Sequence, residues 1–129
     1  MSNRSEGEKF EREVLEFLGK CGFWAHRFAQ NADGQPADII ALDRSARPYL
    51  IDCKVCQGDL FSLKRIEPNQ WSAMQKGEAH GMNVMFVIKS EVVEDWRYIE
   101  YRKILGLYEL GVSSIKVSKL ENFKGLFRW

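Results

Sequence analysis

Two aspartates and a lysine carry the first chemical signal in the chain. In "PADIIALDRSARPYLIDCKV", residues 36–55, Asp38 and Asp52 each sit beside a short apolar run, and Lys54 follows two positions after the second. An antiparallel hairpin around a five-residue loop, Asp43 to Arg47, sets Leu42 against Pro48 and, four steps back, Asp38 opposite Asp52. Side chains placed that way stand roughly 4.5–5.5 Å apart at Cβ, and like charges there are destabilising unless something positive lies between them. A divalent cation meets that need. Strand alternation puts Asp52 and Lys54 on one face and Ile51, Cys53 and Val55 on the other, so one face is expected to carry chemistry and the other packing. The bland alternative is a polar hairpin face with an Asp38/Lys54 or Asp52/Lys54 ion pair. Upstream, Glu8 and Glu11 offer a third carboxylate.

The elements that must hold these groups follow from periodicity. "SEGEKFEREVLEFLGKCG" places Phe10, Val14, Phe17, Leu18 and Cys21 on one side of an amphipathic helix that Gly22 ends. "FWAHRFA" reads as a strand leading into the loop "QNADGQP", and "DIIAL" and "YLIDCKV" read as two more strands. "PNQWSAMQKGEAHG" opens with a proline where a helix tolerates one, with Trp71 and Met74 on its core side, and "NVMFVIK" has the unbroken apolar run of a buried strand. The order is helix, three strands, helix, strand. "DWRYIEY", "RKILGLYELG" and "SSIKVSKL" extend it as strand, helix and strand.

Composition limits the alternatives. A chain of 129 residues, 45% hydrophobic and 29% charged, suits one compact domain over 1–129 that buries roughly two-thirds of its unfolded surface. No run of about 18 apolar residues is present and the N-terminus is polar, so the expected setting is the cytosol, away from membranes. Cys21, Cys53 and Cys56 make an odd set without framework spacing, which suits a reducing compartment. Cys53 and Cys56 spell C-x-x-C, but strand positions three apart face opposite ways, and no second Cys or His pair completes a zinc set. His26 and His80 are isolated. The net charge of +1 hides an uneven distribution: Tyr101 to Trp129 holds six Lys or Arg against two Glu, while Glu6 to Glu16 holds five glutamates.

"PADII" followed by "IDCK" resembles the PD-(D/E)xK nuclease signature, whose core is a mixed α/β arrangement with a central mixed β-sheet flanked by helices in the order α-β-β-β-α-β. "GEKFERE", "GFWAHR", "PADIIAL", "YLIDCKV" and the helix opening "EPNQ" together are similar to the archaeal-type Holliday-junction resolvases and their phage and bacterial relatives, from about Gly7 to Ile88. The resemblance implies a catalytic set of Glu11, Asp38, Asp52 and Lys54. It also implies metal ligation by Glu11, Asp38 and Asp52 with the backbone carbonyl of Cys53, Glu8 being the fallback for Glu11. Asp52 stands where such resolvases more often carry Glu, and "QNAD" where a serine-containing loop is common.

Hydrolysis of a phosphodiester suits hard cations held by carboxylates, here Mg²⁺ with Mn²⁺ able to substitute. Lys54 would orient the attacking water and offset charge at the phosphate. Arg27, Lys64 and Arg65 are candidates for phosphate contacts, and the resemblance implies a supporting or DNA-facing role for Gln70. The resemblance implies a four-way DNA junction as substrate. Another DNA target of restriction or repair type, or an inactive nucleic-acid-binding module, are the alternatives. Two symmetric nicks imply a homodimer, and the apolar tail residues Phe123, Leu126, Phe127 and Trp129 are either core or open to a partner.

Overall fold

The first helix, α1 (Asn3–Lys20), forms as its periodicity predicts, burying Phe10, Val14 and Leu18. In the computed structural model, which describes residues 3–29 and 35–127, this helix closes with Phe23 N–H donating back to Leu18 O at 3.0 Å and Gly22 N–H to Gly19 O at 3.1 Å. That closure places Gly22 at φ 89°, a left-handed position natural to glycine. The Arg44 guanidinium lies where a Cβ on Gly22 would stand.

Strands β1 (Trp24–Arg27), β2 (Ile39–Leu42) and β3 (Pro48–Cys56) follow, then a short strand β4 (Leu60–Ser62), helix α2 (Pro68–Ala79), and β5 (Asn83–Ser90). Beyond them come β6 (Arg97–Glu100), α3 (Tyr101–Glu109), β7 (Ser114–Lys116) and β8 (Glu121–Asn122). The main sheet is six-stranded in the order β1-β2-β3-β5-β6-β8. β3 and β5 run parallel, joined through α2, while the other neighbours are antiparallel. This is the mixed sheet the signature implied.

Both faces are packed. α1 and the C-terminal segment cover one with Phe10, Val14, Leu18, Ile51, Cys53 and Phe123, and α2, α3 and a separate β4–β7 ribbon cover the other with Leu50, Cys56, Met74, Phe86 and Ile104. One expectation changes here. The face of β3 that carries Asp52 and Lys54 is not a polar surface, because Leu50 and Cys56 on that same face are buried in the second core. β3 is a central strand, and a helix crossover has to lie over it. Cys53 and Cys56 do face opposite cores, and all three cysteines are free.

The C-terminal "SSIKVSKL" gives only a three-residue strand before turning into a 3₁₀ helix at Val117–Lys119. The Asp59 carboxylate starts that turn by accepting from the N–H and hydroxyl of Ser118, both at 2.7 Å. Phe123 and Phe127 belong to the α1-side core and Leu126 is exposed; Arg128, Trp129 and residues 30–34, within the expected loop "QNADGQP", lie outside the described residues. Among the described residues, no helix is long and apolar enough to cross a membrane.

The β2–β3 loop sets the register that matters most. Asp43 Oδ1 accepts from the N–H groups of Ser45 at 2.8 Å and Arg47 at 3.0 Å, and Oδ2 accepts from Arg47 Nε at 2.8 Å and the Tyr49 hydroxyl at 3.2 Å. The ladder then runs from Leu42 against Pro48 to Ile39 against Ile51. Within the loop, Ala46 sits at φ 63°, where a residue with a Cβ costs about 1–2 kcal/mol. Replacing it with glycine should raise stability by about 0.5–1 kcal/mol, the relief of that cost less the added freedom of the unfolded chain. Urea denaturation of Ala46→Gly beside the parent checks this, and an unchanged or lower midpoint contradicts it.

Candidate active site

β3 outruns β2. Their pairing ends at Ile39 and Ile51, with Asp38 N–H still donating to Ile51 O at 3.1 Å, while β3 continues to Cys56 along its parallel partner β5. A cleft of about 520 Å³ opens over the unpaired end, between the starts of α1 and α2. Glu11, Asp38, Asp52, Lys54, Arg65 and Gln70 line it.

The expected register holds, and the next rung past the ladder would pair Asp38 with Asp52. Asp38 Oδ2 accepts the Cys53 N–H at 2.7 Å, filling a place a longer β2 would have taken with backbone. In a strand the N–H and C=O of one residue point to the same side, so the Cys53 carbonyl also faces the side that β2 leaves open. The Cys53 side chain packs in the α1-side core, where burial drives its thiol well above the ordinary range. Only its backbone belongs to the cleft.

Asp52 is 1% exposed. Its Oδ1 accepts from Gln70 Nε2 at 3.1 Å, and its Oδ2 lies 3.0 Å from Lys54 Nζ. That second contact is an ion pair without hydrogen-bond alignment, so a fully buried carboxylate oxygen has no aligned donor. Gln70 joins the two charges: its Oε1 accepts from Lys54 Nζ at 3.3 Å and also from the Glu67 N–H at 3.1 Å. Glu67 caps α2, Pro68 begins it, and Gln70 is its third residue, so the helix start and the lysine share one amide.

Glu11, 8% exposed, meets Arg27 of β1: Nη2 and Nε both donate to Oε1, at 3.0 and 3.3 Å. Arg27 therefore lies against a carboxylate in this state, whereas the sequence suggested a phosphate contact. Arg65 donates to Val55 O at 2.8 Å, covering another open carbonyl of β3, and its guanidinium rests over the Phe61 ring at 5.2 Å. Lys64 stands exposed on the same turn, outside the cleft.

Electrostatics follow from the burial of like charges. Burial, followed by the charge of Asp52, raises the Asp38 carboxyl to about 7, against the pull of the Cys53 N–H. Asp52 is raised by burial too, with Lys54 opposing. Burial and then Asp38 raise Glu11, with Arg27 opposing. Among the described residues no three acidic, His or Cys side chains stand together at metal-ligating geometry. Even so, the donors of the Asp38–Asp52 pair are all hard oxygens, one of them without an aligned partner, and they fit a small divalent cation.

Glu11, Asp38, Asp52, Lys54 and Gln70, which the sequence singled out, line one cleft in the structure. Sequence reasoning missed that Arg27 binds Glu11, for which 16 residues of separation leave no local signal. The double role of Gln70 was partly legible in "EPNQ", whose glutamine lies three residues after the cap.

An acidic pair and a lysine at the open end of a central strand, on a helix–meander–helix–strand core, define a nuclease of the PD-(D/E)xK class. The chain matches the model of the archaeal Holliday junction resolvase (Hjc) family over residues 2–116 and belongs to that family, whose activity is that of a junction-resolving nuclease. Among solved structures it is similar to Hjc of Archaeoglobus fulgidus, a Holliday junction resolvase from an archaeal hyperthermophile determined at 1.6 Å. The identity is 23% and the TM-score 0.60, over 75% of this chain and 74% of that one. This likeness bears on the fold. No curated protein matches the chain.

The raised Asp38 has a consequence for stability. Its carboxyl holds a proton more tightly folded than unfolded, so its contribution is fully present below about 3.8 and is lost as pH rises to about 7. In buffer free of divalent ions, the melting temperature should fall between pH 5 and 8, and Asp38→Asn should flatten that slope. Calorimetric scans across this range test it; equal slopes in both proteins count against the assignment.

Proposed function

We propose that the chain cuts four-way DNA junctions by paired, symmetric nicks, with a divalent cation held at Asp38 and Asp52. The observation that carries this reading is the aspartate pair at the open end of β3, Asp52 buried and Asp38 half-buried, with one Asp52 oxygen lacking an aligned donor and Lys54 3.0 Å away. The Cys53 carbonyl and, after rearrangement, Glu11 would complete the ligand set. When bound there, Mg²⁺, with Mn²⁺ able to substitute, would supply Lewis acidity for phosphodiester hydrolysis.

The chain's own groups do the rest. Lys54, held between Asp52 and Gln70, keeps its ammonium at the cleft, where it orients the attacking water and offsets charge developing on the phosphate oxygens. Gln70 fixes that lysine through an amide the α2 cap also holds. Arg65 at the cleft and Lys64 beside it are placed for backbone phosphates, contacts that position DNA without reading bases. Residues 1–129 act as one nuclease domain, working in the cytoplasm with branched DNA as partner.

Asp38→Asn and Asp52→Asn each remove a ligand charge with little change in volume. Both should abolish cleavage of a four-way junction while leaving junction binding within a few-fold of the parent, and Lys54→Ala should slow cleavage about 10²–10³-fold. Gel assays of nicking and binding decide the matter; near-parental cutting by either aspartate variant removes the site.

Two opposed nicks from a chain with one such site call for two chains related by a two-fold axis. Sedimentation should give a homodimer, and dimers mixed from parent and Asp52→Asn chains should nick one strand only. A monomer making paired, symmetric cuts contradicts this.

A further inference from the structure

Arg27 and Glu11 raise a question the catalytic reading does not answer. Glu11 lines the cleft and feels the charge of Asp38, yet its Oε1 is taken by two N–H groups of one guanidinium. Glu11 is thus beside the aspartate pair without joining it at ligating geometry. Arg27 is 24% exposed at its side chain, so its outer edge meets solvent. It stands on β1 opposite Ile39, on the α1 face of the sheet, and meets the cleft through Glu11, which lines it. A guanidinium fork accepts a carboxylate and a phosphate with the same geometry.

These facts set up a competition for one carboxylate. Without a cation, a third negative charge beside Asp38 and Asp52 is unfavourable, and Arg27 neutralises Glu11 where it stands. With a dication between the aspartates their two charges are balanced, the repulsion on Glu11 is removed, and its carboxylate gains by turning toward the cation. What then holds it back is its bond to Arg27, and a DNA phosphate is the group able to take the guanidinium in exchange.

We propose that Arg27 is a positioning residue that withholds Glu11 from the cation until a DNA phosphate binds the guanidinium, so that junction binding and cation binding strengthen one another. This rests on the cation site proposed above. The coupling runs both ways and has the same size in each direction. A resolvase built this way completes its ligand set on DNA and leaves it incomplete in free solution.

The test measures binding, not turnover. Mn²⁺ affinity of the DNA-free full chain is read by calorimetry for the parent, Arg27→Ala, Glu11→Gln and the double variant. Arg27→Ala should bind Mn²⁺ at least fivefold tighter than the parent, and the gain should vanish when Glu11→Gln is also present. A gain that persists without the Glu11 carboxylate means Arg27 acts only by its charge and overturns the proposal, as does Mn²⁺ affinity indifferent to Arg27. No stoichiometric Mn²⁺ binding by either the parent or Arg27→Ala would instead overturn the cation site itself. The reciprocal arm follows fluorescence anisotropy of a labelled four-way junction with Lys54→Ala chains, with Mn²⁺ or EDTA. Mn²⁺ should tighten binding at least threefold more with Arg27 present than with Arg27→Ala, and equal responses contradict the coupling. Circular dichroism of each variant confirms folding, and Arg27→Lys, which keeps the charge but loses the fork, should fall between parent and alanine.

Discussion

Everything around the cleft depends on keeping two carboxylates together in a place where water reaches neither fully. Isolated, a buried charge of this kind costs several kcal/mol after relaxation, and two of the same sign cost more. The chain answers with graded compensation: a backbone N–H for Asp38, an amide and an ammonium for Asp52, and a guanidinium for the nearby Glu11. None of these answers is complete, since one oxygen of Asp52 has no aligned donor. The incompleteness is the chemical invitation to a cation, and the fold is arranged to make it persist.

The sheet supplies the means. A strand that runs past its neighbour leaves N–H and C=O groups facing an open side, usually a liability. Here that side becomes a site: a side-chain carboxylate takes one N–H, an arginine covers a carbonyl, and the remaining edge faces the cleft. The parallel pairing of β3 with β5 through α2 brings the start of α2 to the same edge, which is how Gln70 reaches both Asp52 and Lys54. An amide suits that position because it offers a donor to the carboxylate and an acceptor to the ammonium. Glutamate there would set a third charge against Asp52, and leucine would leave both groups without their bridge.

What the sequence made legible was local or nearly so. The hairpin register followed from loop length and alternation, and the five-residue loop, folded around the Asp43 carboxylate, placed Asp38 against Asp52 as counted. The helices and buried strands followed from periodicity. What stayed hidden was set by distant chain. The β4–β7 ribbon pairs residues more than fifty positions apart through three-residue strands that carry too little pattern to register. The second covered face of β3 required knowing that α2 would lie over it, since alternation reports two faces but not what covers each. The Arg27–Glu11 contact joins a strand to a helix, and nothing in the sequence around either residue reports the other.

Most hairpin loops on a protein surface are free to vary in length, and lineages use them to absorb insertions. The Asp43–Arg47 loop is denied that freedom. Its one aspartate ties the turn at both ends, and strand side chains alternate with a period of two, so a one-residue slip of β2 against β3 would turn Asp38 toward the α1 core and away from Asp52. Drift in length among descendants of this chain should gather elsewhere on the surface, leaving this short exposed turn as constant in size as a piece of the interior.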